Sequence, residues 1–214
     1  MLKDIKVTHS SKTAIVLFHG YGANADDLFP LHEILDPLKK FDWYFPQGHL
    51  ALSMGGFGAR AWFPIDEAAF MEAQRTGKPR SFHDRCPEGF HEAIKIQRDY
   101  LLNLRENYHA LIVGGFSQGA MTASYYTESD GLVLLSGVLV DAARFRQLSF
   151  KAESFFSSHG QYDPVLSFSE GQMLAEALVA NGLKSEWVPF HGGHEIPMDV
   201  ITRLRLYLER WIIS

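Results

Sequence analysis

The chain has 214 residues, 46% hydrophobic and 21% charged, which suits a globular protein with one substantial core and excludes a low-complexity or disordered chain. The formal net charge is -5 with both signs scattered, so no basic stripe points to nucleic acid, and no apolar run is long enough to span a bilayer. Cys86 is the only cysteine, which excludes an intrachain disulfide and a CxxC metal or redox pair.

The N-terminus, MLKDIKVTHS, lacks the apolar core of a signal peptide, and a cytoplasmic protein is expected. Residues 14–18, AIVLF, form a short β-branched run suited to a strand buried on both faces, stopped by His19-Gly20. The glycine-rich GYGANADDL follows, with helix-start residues Asn24, Asp26 and Asp27. Leu28, Leu31, Ile34, Leu35 and Leu38 then recur at helical spacing, and 42–45 reads as a second strand closed by Pro46-Gln-Gly48. Residues 50–60, with Gly55, Gly56 and Gly58, read as a loop without a dinucleotide fingerprint. In 68–85 a short helix is broken by Gly77 and Pro79, and the segment is an excursion over the surface. Phe90, Ala93, Ile94, Gln97, Tyr100, Leu101 and Leu104 mark a long amphipathic helix.

Beyond it the alternation is regular. Strands are expected at 110–116, 132–135, 154–158 and 186–190, and helices at 118–126, 168–180 and 197–213. Such βα alternation, with no repeat or linker, predicts one α/β domain over 1–214 built on a mostly parallel sheet with helices on both faces.

In an open parallel sheet, ligands bind beyond the carboxyl ends of the strands. GGFSQGAM lies at such an end, between a strand and a helix. Gly115 and Gly119 relieve crowding at a sharp bend, so Ser117 can project its hydroxyl from a nucleophile elbow. The plain alternative is an ordinary strand–helix turn.

A serine hydroxyl needs a base, and the base a carboxylate, in the chain order serine, acid, histidine for this kind of sheet. His194 in HGGHEIP follows the last strand and is the first choice of base, with His191 second; His159 precedes the acid candidate and has the wrong order. Asp163 in HGQYDPV is the acid candidate, with Asp141 its rival. The backbone N–H groups of Gln118 and Tyr21 are the candidate oxyanion donors, whereas His19 reads as a packed, hydrogen-bonded residue.

LFHGYGANADDL, ARAWFPID, GGFSQGAM, HGQYDPV and GGHEIP together resemble the phospholipase/carboxylesterase family of α/β-hydrolases, which includes the acyl-protein thioesterases. The resemblance covers essentially the whole chain. It implies an α/β-hydrolase fold, a Ser117–Asp163–His194 triad, an oxyanion hole from Tyr21 and Gln118, and no cofactor or metal. Trp62 corresponds to a family aromatic near the acyl site, and Phe116 is assigned with it to substrate contact. The implied partner is a small-molecule or lipid-like acyl ester, with transient membrane contact and a monomer or homodimer both open. Segment 68–85 departs from the family pattern; it is either a packed surface loop or a cover for the acyl groove carrying Phe70, Met71 and Phe82.

Three rivals follow from the same residues. A peptidase would use the same fold. A zinc hydrolase would use His191, His194 and Glu195, although HExxH is absent. A non-catalytic binding module would keep the fold alone.

Overall fold

The computed structural model describes residues 2–53 and 58–212. In chain order the elements are β1 (Asp4–Val7), β2 (Thr13–Phe18), α1 (Ala25–Leu28), α2 (Leu31–Leu35), β3 (Asp42–Pro46), β4 (Leu50–Ala51), β5 (Arg60–Ala61), α3 (Glu67–Thr76), α4 (Phe90–Arg105), β6 (Ala110–Phe116), α5 (Gln118–Ala123), β7 (Gly131–Leu135), α6 (Ala142–Phe145), β8 (Ser154–Gly160), α7 (Phe168–Ala180), β9 (Lys184–Phe190) and α8 (Met198–Glu209). Seven strands make one sheet in the order β1-β3-β2-β6-β7-β8-β9. Every neighbouring pair is parallel except β1 with β3.

The sheet is buried on both sides, and strand alternation sorts its residues between two cores. Ala14, Val16 and Phe18 of β2 face a core shared with Phe90, Tyr100 and Leu101 of α4 and Leu174 and Leu178 of α7. Ile15 and Leu17 face the opposite core, with Leu28 and Leu35 of α1 and α2 and Val200, Leu204 and Leu208 of α8. Such two-sided burial explains why the central strands β2, β6 and β7 read as continuous apolar runs.

Three expectations change. The helical spacing at 28–38 is divided into α1 and α2, because Pro30 stands between them as the N-cap of α2. The helix expected over 118–126 ends at Ala123, and Tyr125 and Tyr126 turn into the core instead. The loop expected over 50–60 contains a two-residue ladder, β4 with β5; Gly55 and Gly56 lie outside the described residues. The edge strand β1 was not anticipated. Its Ile5 and Val7 are interleaved with charges, and only pairing with β3 makes it a strand.

α3 fills the first half of the departing segment. Asp66 caps it by accepting from the Ala69 N–H at 3.0 Å, and Gly77 ends it at φ 66°. The stretch after it is pinned to α7 by the buried Glu170. That carboxylate accepts from the Phe82 N–H at 2.9 Å and lies 2.7 Å from His83 Nδ1.

Candidate active site

Ser117 stands between β6 and α5 at φ 54°, ψ -119°, a left-handed conformation that a residue with a Cβ adopts only under strain. Its N–H donates to Leu135 O at 2.8 Å and its carbonyl accepts from Met121 N–H at 3.0 Å, so both flanking peptides are held. A Cβ at Gly119 would come within 2.0 Å of Phe18 O, and one at Gly115 within 2.4 Å of the same atom. Close approach of β2 to the bend therefore requires glycine at both positions. Gln118 is the first residue of α5, where a backbone N–H has no intrahelical acceptor.

The loop after β2 is fixed by His19. Its Nε2 accepts from the Gly48 N–H at 2.9 Å, so Nδ1 carries the proton and donates to Gly20 O at 2.7 Å. Burial lowers the His19 pKa to about 4, against the opposing effect of the Gly20 bond, so the ring is neutral. The Gly20 carbonyl and the Tyr21 N–H belong to one trans peptide and point in opposite directions. Holding the carbonyl thus sets the direction of the N–H. The Tyr21 hydroxyl donates to Glu67 Oε1 at 3.0 Å, tying the loop to α3.

On the other side, His194 Nδ1 lies 2.6 Å from Asp163 Oδ2. Asp163 is 5% exposed, and its Oδ1 accepts from the Val165 and Leu166 N–H groups at 2.8 and 2.9 Å. Burial alone would raise its pKa, but hydrogen bonds from His159 and His194 outweigh it and hold the carboxyl well below the usual range. The ring of Phe116 lies 4.8 Å from that of His194. The loop carrying His194 passes tightly over β8: a Cβ at Gly160 would approach Gly193 O to 2.1 Å.

Ser117, Gln118, Tyr21, Phe116 and His194 all line one cleft of about 640 Å³, part of it open to solvent. Its walls are largely apolar, with Phe63, Ile65, Met121, Val165 and Leu166; Phe70 and Phe82 from the departing segment complete them. Met71 instead points outward, 63% exposed. An elbow serine and a histidine bonded to a buried carboxylate beside an apolar cleft suit acyl transfer.

Trp62 is not a wall of this cleft. It is wholly buried behind the loop after β2, edge-on to Phe18 at 5.1 Å, with Nε1 donating to His19 O at 2.8 Å. In place of the expected contact with substrate, it supports the loop after β2, because its large ring is enclosed by the elbow and β2.

Of the alternatives, His191 is exposed against Tyr162, and Asp141 caps α6 by accepting from Arg144 N–H at 3.2 Å. Glu195 Oε1 accepts from Gly193 N–H at 3.1 Å. Among the described residues, the atoms that converge as metal ligands would are those of Cys86, His91 and Asp141, none of which lines the cleft. There the Arg144 guanidinium already lies 3.1 Å from His91 Nε2.

Two roles were not legible in the motifs. His159, set aside as base on chain order, is fully buried with Nε2 3.2 Å from Asp163 Oδ2, the same oxygen that His194 approaches. The Gln118 side chain accepts from Trp62 N–H and donates to Phe63 O, both at 2.8 Å, bracing the cleft wall against the elbow. The i,i+4 spacing of His159 and Asp163 was the one available signal for the first.

Comparisons with known proteins bear on the family and the fold. An acyl-protein thioesterase 1 homolog of Dictyostelium discoideum is 29% identical over 168 residues, covering 73% of this chain and 70% of its own. Acyl-protein thioesterase 1 of Neurospora crassa is 25% identical over 217 residues, covering 92% and 86%. The crystal structure of esterase PE8 superposes with a TM-score of 0.80 at 23% identity, over 99% of each chain, which shows the shared α/β-hydrolase fold. The phospholipase/carboxylesterase family model matches residues 5–212, and the chain belongs to that family.

Proposed function

We propose that the protein is a serine hydrolase of carboxylic esters, extending to thioesters and lysophospholipids, that works through an acyl-enzyme. The observation that carries the reading is the strained Ser117 opening into the same cleft as His194, whose Nδ1 is bonded to Asp163.

His194 takes the Ser117 proton as Oγ attacks the acyl carbon. The carbonyl π electrons move to oxygen, where the Tyr21 and Gln118 N–H groups stabilise the charge. Asp163 keeps the Nδ1–H tautomer, leaving Nε2 to act as base, and stabilises the imidazolium that forms. Collapse of the tetrahedral intermediate expels the alcohol or thiol, protonated by His194. Water, deprotonated by the same histidine, then releases the acid and restores Ser117. Phe116 flanks the imidazole and limits its tilt.

Hydrolysis of a p-nitrophenyl ester series from acetate to laurate by the protein and its Ser117→Ala variant tests this. Turnover lost in the variant supports the mechanism, and the chain-length optimum sizes the cleft. Full activity in the variant would refute it. Failure of Ser117 to react with a fluorophosphonate would favour the binding-module reading, and loss of activity to a chelator would favour the zinc reading.

A further inference from the structure

The cleft holds a charge that the triad does not use. Arg80 lines it, with its guanidinium carbon 5.2 Å from the centre of the Phe70 ring and 5.1 Å from that of Phe82. Its main chain is fixed by a bridge to Leu166 and by donation of its N–H to Val165 O at 3.4 Å. No carboxylate forms an ion pair with it among the described residues. Its Nε is enclosed by protein and has no acceptor.

The surrounding charges do not neutralise it at contact distance. Asp66 attracts it from the start of α3 while capping Ala69, and Arg85 repels it. The Glu170 carboxylate is engaged by Ser81, Phe82 and His83, and Glu67 by the Tyr21 hydroxyl. Asp27 lines the same cleft and would repel an anion beside it. A guanidinium stays charged at every working pH, and enclosing one of its donors without an acceptor is unfavourable. Two aromatic faces offset part of that and also fix the planar group in place.

We propose that Arg80 binds an anionic group, a carboxylate or a phosphate, that the ester carries at a distance from its reacting carbonyl. The cleft is then selective for negatively charged acyl esters, with Phe63, Phe70 and Leu166 enclosing the apolar spacer. This deepens the hydrolase reading and rests on it for the reaction, though not for the binding of the anion.

The kinetic test compares kcat/KM for mono-p-nitrophenyl adipate with that for p-nitrophenyl hexanoate, and for p-carboxyphenyl hexanoate with that for phenyl hexanoate. The readout is the ratio within each protein, so a general loss in a variant cancels. The native protein is expected to prefer one charged ester by roughly tenfold or more, as one charge-assisted hydrogen bond gives. Arg80→Met should remove that preference and Arg80→Lys retain part of it. The pair that responds tells whether the anion belongs to the acyl or the leaving group. Ratios unchanged between the native protein and Arg80→Met would overturn the proposal.

Calorimetric titration of adipate and of inorganic phosphate into Ser117→Ala, and into the same protein carrying Arg80→Met, reads binding without turnover. Saturable binding lost with Arg80 supports the site even if no ester is cleaved, in which case the hydrolase reading alone fails. Equal binding by both proteins, or none by either, overturns it.

Discussion

Replacing Gln118 by Met isolates two hydrogen bonds at the base of the cleft. The side chains are of similar length and helix propensity, and the Gln118 backbone N–H is kept. The substitution strands the Trp62 N–H and the Phe63 carbonyl, which now bond the Gln118 amide at 2.8 Å each. Gln118, Trp62 and Phe63 are 2%, 0% and 1% exposed, so water cannot readily replace the amide. Each buried group left without a partner costs about 1–3 kcal/mol, giving roughly 2–6 kcal/mol for the pair. For a chain of this size that lowers Tm by roughly 4–24 °C. Urea unfolding followed by tryptophan fluorescence would measure the free-energy change at constant m. A loss below about 1 kcal/mol would refute the reasoning, since it would mean that neither group is truly stranded. Because Phe63 lines the cleft while the proposed oxyanion donor, the Gln118 backbone N–H, survives, KM should rise more than kcat falls.

Asp163→Asn should lower kcat by roughly 10³–10⁴-fold with little change in KM, because the amide favours the wrong imidazole tautomer; steady-state kinetics on one ester reads this directly. His19 predicts a pH dependence of stability. Its folded pKa of about 4 lies below the usual 6.5, so its contribution is complete above about pH 6.5 and is lost as pH falls towards 4, where the unfolded chain alone takes the proton. Over that window the unfolding free energy should drop by about 3 kcal/mol on this account, and His19→Gln should flatten the profile. Gly160→Ala should displace the loop bearing His194 and cut kcat roughly 100-fold at a temperature where circular dichroism still reports a folded chain.

The elbow was legible because everything that makes it is local: an apolar strand, two glycines at fixed offsets and a helix behind them. The central strands were legible for a related reason, since burial on both faces leaves an uninterrupted apolar run. What depended on distant partners was not. Nothing in ARAWFPID says that Trp62 turns beneath the loop after β2 instead of into the cleft. That depends on the enclosure made by Phe18, His19 and Gln118, which only the folded sheet brings together. Arg80 reads as an ordinary surface cation in TGKPRSF, and its isolation from carboxylates is a property of the tertiary surroundings. Chain order sets His159 aside as the base and is silent about its place as a second partner of Asp163.

The groups around the cleft come from four strand ends: Tyr21 follows β2, Ser117 follows β6, Asp163 follows β8 and His194 follows β9. No contiguous stretch of the chain holds more than a fraction of them. Parallel pairing demands long crossovers, and contacts of such separation form slowly. During refolding, hydrolysis of an ester should therefore return after helical signal and after burial of the tryptophans, and its time course would be a clock for completion of the sheet.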